Sequence, residues 1–316
     1  MNPPDPQPST AGDPRRCSAV VDERAVDVDE SAVSVDESAV SIVPISHAQG
    51  RAPLFFFTNP PTAATVAAGL SRPVYAVPPI GIETATRLVD TATRAGEILG
   101  PALARCQPDG PLYLLGHCSH GIMALEAAQW LNRNGRQVRF LGLVDTVHPG
   151  LFARRLPSLA SVIDRTLHAH PAVAAAAAAL DERWQHRDLT ATAVLAELRP
   201  ALRTAVFAGL DSAGLVAPQL REELLAGREA FLHLTLTAWR HLPTPYPGPL
   251  GYVYNTVGLN TAGLGLRSLL ASVDRWRDTA GPGFEAVVVD AAGMADPHDD
   301  LPGHPDVLGY LARRAC

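Results

Sequence analysis

Residues 112–121 read Leu112-Tyr113-Leu114-Leu115-Gly116-His117-Cys118-Ser119-His120-Gly121. An apolar run of strand length enters a glycine-bearing turn, and a helix-like stretch follows over 122–131. A strand turning sharply into a helix is how a nucleophile elbow holds one reactive side chain at its tip, with the pattern G-x-S-x-G. Here the pattern can be set in two frames. Centred on Ser119 it demands a glycine at 117, where His117 stands. Centred on Cys118 it keeps Gly116 but puts His120 in the second glycine's place, with Gly121 one position later. The Cys118 frame is preferred. The alternative is an inert buried thiol, since free cysteine packs as a small hydrophobe.

Outward from this stretch, strand-like runs at 53–57, 73–77, 112–115 and 139–144 alternate with helix-like stretches at about 84–106 and 121–134. That alternation predicts βαβ units and a parallel sheet. Residues 150–245 differ, being helix-like and rich in Ala and Leu with no clear strand. Strand patterning returns at 250–254 and 284–289, and a closing helix is expected over about 306–314.

Composition narrows the class. The chain has 316 residues, 47% of them apolar, which is enough for a sizeable core. No uninterrupted apolar run approaches the roughly 20 residues that span a bilayer, and the N-terminus lacks a basic-then-apolar signal. A cytoplasmic location is therefore expected. The four cysteines, Cys17, Cys106, Cys118 and Cys316, show neither metal-ligand nor disulfide spacing, so no metal and no bound cofactor are expected. Residues 1–40 hold nine acids against three arginines, which accounts for the net charge of −6. The remainder is neutral, and without a basic footprint nucleic-acid binding is not expected.

The N-terminal 40 residues read as a disordered acidic segment. Within it a heptad recurs, Val21–Asp27, Val28–Ser34 and Val35–Ser41, and the last two copies are identical, VDESAVS. The valine spacings of five and two fit neither a coiled-coil seam nor a strand. The segment is an acidic tether or a docking segment for a partner protein. The folded domain is expected over 41–316.

The segment 107–117, ending in Pro111-Leu112-Tyr113-Leu114-Leu115-Gly116-His117, resembles the run before the active serine in thioesterase domains of nonribosomal peptide and polyketide synthases. Pro53-Leu54-Phe55-Phe56-Phe57-Thr58-Asn59-Pro60-Pro61 resembles that family's first buried strand and oxyanion loop, and Pro73–Val77 its next core strand. Tyr246–Leu250 resembles the entry to the strand after its lid. The resemblance covers roughly residues 41–316. It implies an α/β-hydrolase fold, with a mostly parallel central sheet, helices on both faces and a helical lid inserted at about 150–245.

The resemblance also orders the candidate site. In this fold the chain order is nucleophile, acid, histidine. Asp145 follows the run 140–144, 27 residues after Cys118, where the family places its acid; a strand-end turn former is the other reading. Other hydrolases of this fold use the strand after the lid, which here ends in Asn255, an amide that carries no charge. His298, in Asp296-Pro297-His298-Asp299-Asp300-Leu301, is the candidate base, with Leu301, Pro305 and Val307 at the family's offsets. His304 is its rival and His148 a weak one. His117 and His120 flank the nucleophile and either line the pocket or face solvent. For the oxyanion hole, one N–H is expected from Ser119, the residue after the nucleophile. The other is expected from Thr62, because Pro60 and Pro61 have no N–H.

A thiol nucleophile yields a thioester intermediate, nearly isoenergetic with the thioester it came from. Such an enzyme can collect an acyl group from one phosphopantetheine arm and return it to another. Cysteine members of the resembled family include acyl and aminoacyl shuttles between carrier proteins, and also release cyclases. The leading expectation is an acyl or aminoacyl shuttle between acyl or peptidyl carrier proteins. The alternatives are a release thioesterase that hydrolyses or cyclises a carrier-bound product, and a non-catalytic binding protein. Arg154, Arg155 and Arg240 are candidates for docking an acidic carrier protein, beside an ordinary role as solvated surface charge.

Overall fold

The computed structural model describes residues 40–47, 51–80, 89–163, 165–214, 217–255 and 266–314. All but the last residue of the acidic 1–40 segment, and the first part of the helix expected from 84, lie outside them. Seven strands are present among the described residues: β1 (Val43–Ser46), β2 (Leu54–Phe57), β3 (Val74–Val77), β4 (Leu112–His117), β5 (Val138–Val144), β6 (Leu250–Asn255) and β7 (Phe284–Val289). They form one sheet in the order β1-β3-β2-β4-β5-β6-β7. Only the edge pair β1–β3 is antiparallel. This is the mostly parallel sheet of an α/β-hydrolase fold.

Every residue of β2, β3 and β4 is buried, as expected of parallel strands covered on both faces. On one face Phe55, Phe57, Leu112 and Leu114 meet helices α2 (Ala92–Cys106) and α3 (His120–Arg133). On the other, Leu54, Phe56, Tyr113 and Leu115 meet α1 (Pro60–Gly69) and α10 (Pro305–Arg314). The helix α1 occupies what the sequence suggested was a loop. Its start is built by Asn59, whose side chain caps it, and by Pro60 and Pro61 at the first two helical positions, where no N–H is needed.

Between β5 and β6 the chain leaves the sheet and forms α4 (Leu159–Val162), α5 (Arg165–His168), α6 (Pro171–Gln185), α7 (Ala191–Ser212) and α8 (Pro218–Arg240). This is the insertion expected at 150–245. Val173, Trp184, Leu195, Leu202 and Leu232 from these helices share one apolar core with α2 and α3. A last helix, α9 (Leu266–Ala280), adds Val273 and Trp276 to it. The C-terminal ends of β2, β4, β5 and β6 converge beneath the insertion, where ligands bind in open α/β sheets.

Candidate active site

Cys118 and Asp145 are the first residues beyond β4 and β5. Both have left-handed backbones, with φ of 54° and 50°. Non-glycine residues rarely adopt this region, and they do so where surroundings over-determine them. Here the backbone itself does so. The Cys118 N–H donates to the Val144 carbonyl and the Asp145 N–H to the Val253 carbonyl, both at 2.9 Å. Each strand thus extends its ladder by one bond and then kinks, presenting its side chain above the sheet.

The kink at Cys118 requires close approach of strand and helix. A Cβ on Gly116 would lie 2.4 Å from the Gly121 Cα, and one on Gly121 would lie 2.1 Å from Thr146 Oγ1. Gly121 therefore takes the part the pattern assigns to position 120, and the His120 side chain is free to point elsewhere.

His298 comes from the loop after β7. Its Nδ1 is 2.5 Å from Asp145 Oδ2, and it lies near enough to Cys118 to feel its charge. Burial disfavours its charged form, but the charge of Cys118 and the bond to and charge of Asp145 outweigh that, and its pKa is pushed up to about 11. The three residues read from the sequence as nucleophile, acid and base are therefore brought together. The loop is held by its own turn, in which Asp296 Oδ1 accepts from the N–H of His298 and of Asp299 at 2.9 and 3.1 Å. Asn255, at the end of β6, donates from Nδ2 to the Pro297 carbonyl at 3.4 Å.

The rival histidines are engaged otherwise. His304 accepts the Asp306 N–H. His148 accepts from Gly150 N–H and meets Thr279 Oγ1, each at 3.0 Å, with its pKa pushed down to about 4 mainly by burial. His117 neither lines the pocket nor faces solvent. It is buried and its Nε2 lies 3.0 Å from the His298 carbonyl. Sequence reading missed this support because the partner is a backbone atom of a distant loop.

The oxyanion donors divide. Ser119 stands at the N-cap of α3, where a helix leaves backbone N–H groups without intrahelical partners. Among the described residues no acceptor pairs with its N–H. Thr62 does not match its expected part, because its N–H is directed to Asn59 Oδ1 at 2.9 Å as the cap of α1. In the same loop the Thr58 N–H bonds the Val77 carbonyl at 3.2 Å. The Asn59 backbone N–H has no acceptor among the described residues, which makes it the donor left over beside the elbow.

Cys118, Ser119 and Asp145 open onto a pocket whose far wall is α8, through Phe231, Thr235 and Trp239. Of the arginines considered for docking, Arg240 turns inward onto the Leu189 and Arg187 carbonyls, and Arg155 bonds Gln185 at 2.6 Å. Arg154 remains exposed.

Residues 66–293 match the thioesterase domain family. The chain belongs to that family. Among individual relatives of this thioesterase, it is 44% identical over 64 residues to enterobactin synthase component F of Escherichia coli O157:H7, covering 19% of this chain and 5% of that protein. It is 42% identical over 60 residues to vanchrobactin synthetase VabF of Vibrio anguillarum, covering 19% of this chain and 2% of that protein. The chain thus spans only a small fraction of these long relatives. Its fold is similar to that of the four-domain nonribosomal peptide synthetase AB3403, with a TM-score of 0.55 at 14% identity over 86% of this chain and 20% of that one. It is also similar to YbtT, a type II thioesterase from the yersiniabactin pathway, with a TM-score of 0.50 at 18% identity over 87% and 97% of the two chains. At these identities the structural likeness speaks for the fold alone. Among the described residues no helix is long and apolar enough to cross a membrane.

Proposed function

We propose that this thioesterase-family chain is an acyltransferase that holds an acyl or aminoacyl group as a thioester on Cys118 and passes it between phosphopantetheinyl carrier proteins of peptide or polyketide biosynthesis. The observation that carries the reading is the thiol at the kinked tip of β4, beside a histidine oriented by a buried carboxylate. The carrier-protein context is supported by the synthetases among its relatives.

In the proposed cycle, His298 starts as the imidazolium, holding the proton of Cys118 on the nitrogen not bonded to Asp145, which stabilises that charge, and Cys118 is the thiolate. The sulfur attacks the carrier-bound thioester carbonyl, and the oxyanion is met by the Ser119 N–H. Collapse breaks the carbonyl–phosphopantetheine sulfur bond, and His298 gives its proton to the departing thiolate. The product is acyl-Cys118 and a free carrier thiol. A second carrier thiol gives its proton to His298, attacks acyl-Cys118 and expels the Cys118 thiolate, which again pairs with the imidazolium. Each half replaces one thioester by another, so the activated bond is retained in both directions.

A second reading, release of a carrier-bound product by hydrolysis or cyclisation, is favoured by the family match itself. Intact-protein mass spectrometry separates the two, with wild type and Cys118→Ala each mixed with acyl- and aminoacyl-carrier proteins and then with a second holo carrier. A Cys118-dependent adduct that moves to the second carrier is the expected result. An adduct that decays to free acid or cyclic product while ignoring the second carrier establishes the release reading. Absence of any adduct removes the catalytic role of the thiol.

A further inference from the structure

Ser119 stands at a helix N-cap without acting as one. Serine is favoured there because its side-chain oxygen accepts from a backbone N–H of the first turn, which it reaches from an extended backbone. Asn59, Thr91 and Thr190, at the starts of α1, α2 and α7, do this, with extended backbones. Their side chains accept from the N–H of Thr62, Arg94 and Ala193 at 2.9, 3.1 and 3.1 Å. Ser119 instead has helical φ and ψ of −62° and −25°, and its side chain caps nothing. The residue is buried, at 5% exposure. Among the described residues its hydroxyl has one hydrogen-bond partner, the Cys118 Sγ at 3.8 Å, a contact to sulfur being longer than one to oxygen.

The elbow explains the exchange. Cys118 takes up the left-handed kink, and the Gly121 N–H already bonds the Cys118 carbonyl at 3.0 Å. The helical conformation therefore begins at Ser119. A helical residue tilts its Cβ toward the helix N-terminus, which here is the side of Cys118. The two side chains share the pocket beneath α8.

The direction of the bond follows from the state of the sulfur. A thiolate has no proton, so the hydroxyl donates. Hydrogen bonds to an ionised acceptor are about twice as strong as neutral ones. The bond is therefore strong while Cys118 is a thiolate and weak once its sulfur is acylated. A group that stabilises the departing thiolate more than the acyl-enzyme lowers the barrier to its departure. A more stable thiolate also leaves faster and attacks more slowly.

We infer that the Ser119 hydroxyl is a further catalytic group, a donor to the Cys118 sulfur that makes Cys118 a ready leaving group and so keeps its acyl group transferable to a second thiol. The inference rests on Cys118 being the acyl acceptor. Ser119 then serves the cycle twice, its N–H facing the oxyanion and its hydroxyl the sulfur.

The test uses the full chain. Alkylation of Cys118 by iodoacetamide, read by peptide mass across pH, reports the thiolate with no acyl donor present. In Ser119→Ala the midpoint of that profile is expected to rise by about one pH unit, a tenfold loss of thiolate stability. With the hexanoyl thioester of pantetheine, intact mass reads how the acyl group partitions between Cys118 and pantetheine. The same variant is expected to shift the partition about tenfold toward acyl-Cys118 and to slow return to pantetheine about threefold. Ser119→Thr keeps a hydroxyl and should keep both values. The denaturant midpoint of Ser119→Ala should match wild type, since no cap is lost.

An unmoved alkylation profile in Ser119→Ala overturns the inference, and a fall in denaturant midpoint beside it would make Ser119 an ordinary cap. An acyl group that resists exchange with pantetheine and disappears in Ser119→Ala would sit on the hydroxyl, making Ser119 an acceptor, and overturns it as well. A shifted profile with no acylation of Cys118 keeps the hydroxyl–sulfur bond and overturns the transfer reading. Acylation of Cys118 with an unmoved profile does the reverse.

Discussion

His117 Nε2 lies 3.0 Å from the backbone carbonyl oxygen of His298, a residue 181 positions away. A carbonyl only accepts, so the ring nitrogen donates. Burial, together with the neighbouring charges of His298 and His120, holds the His117 pKa well below the ordinary histidine value, and the ring is neutral. The residue immediately before the nucleophile thus grips the loop carrying the candidate base, and the two rings meet tilted by 33° with centroids 4.7 Å apart.

Loss of that grip should misplace His298 without removing it. His117→Ala is expected to slow acylation of Cys118 by about 10- to 100-fold, the cost of a small misalignment of reacting groups. The loss should fall on the rate at saturation rather than on the half-saturating concentration. His117→Gln keeps a donor and should recover part of the rate. If the half-saturating concentration alone changes, His117 is not a positioning residue.

Stability should have a limb on each side of neutrality. The folded-state pKa of His298 is about 11, against an ordinary 6.5. Its contribution is fully present below pH 6.5, declines as the unfolded chain loses its proton first, and is gone above about 11. His120, His148 and His233 are pushed down to about 4, chiefly by burial. Between pH 6.5 and 4 the unfolded chain binds more protons at these sites, so stability there falls with acid. Thermal midpoints across pH should peak near 6.5. Cys118→Ala removes one of the charges that raise His298, and should flatten the alkaline limb while leaving the acid limb. An alkaline limb of unchanged slope in that variant would show that the thiol does not hold the His298 proton.

The glycine that matters in the elbow is Gly121. Gly121→Ala drives a Cβ to within 2.1 Å of Thr146 Oγ1, in a fully buried contact. Overpacking of this kind costs about 1–3 kcal/mol, and α3 must shift, carrying Ser119 with it. Denaturant midpoints and Cys118 acylation should both fall. His120→Ala, at the position where the pattern expects glycine, is expected to cost less, since its side chain borders an open cavity. The reverse ranking would mean that position 120 sets the strand–helix distance after all.

The legible parts of the molecule were those written locally. Leu54–Phe57, Leu112–His117 and Val138–Val144 announce buried strands because covered parallel strands are apolar on both faces. Cys118 could be named as a candidate from the turn after its strand, while Asp145 and His298 were named through the family resemblance, which places each relative to a strand end. Helix α1 was not legible, because Asn59-Pro60-Pro61 reads as a turn unless the helix it caps is seen. The Thr62 N–H was misassigned for the same reason, being the first free donor of that helix and hence the one its own cap takes. The places of His117 and His120 were hidden because each depends on a contact far away in the chain, one with the His298 carbonyl and the other with the Phe231 ring of α8.

The way the insertion is fastened bears on which reaction wins. Where the chain leaves α8, His241 Nε2 meets the buried Glu126 of α3 at 2.9 Å. One turn on, Gln129 donates to the Thr244 carbonyl at 3.1 Å and accepts from its hydroxyl at 3.0 Å. These bonds tie the exit of α8 to the helix that begins at the elbow, so they keep the wall of the Cys118 cavity in place. Glu126→Ala leaves a buried ring nitrogen without its partner, a loss of about 1–3 kcal/mol. The loss should be local first, with faster amide exchange at 241–246 before the sheet responds. A closed site protects a reactive intermediate from water. The same variant should therefore shift acyl-Cys118 from transfer toward hydrolysis, read as free acid against acylated second carrier. Faster exchange without more free acid would show that this fastening steadies the fold and does not govern the fate of the acyl group.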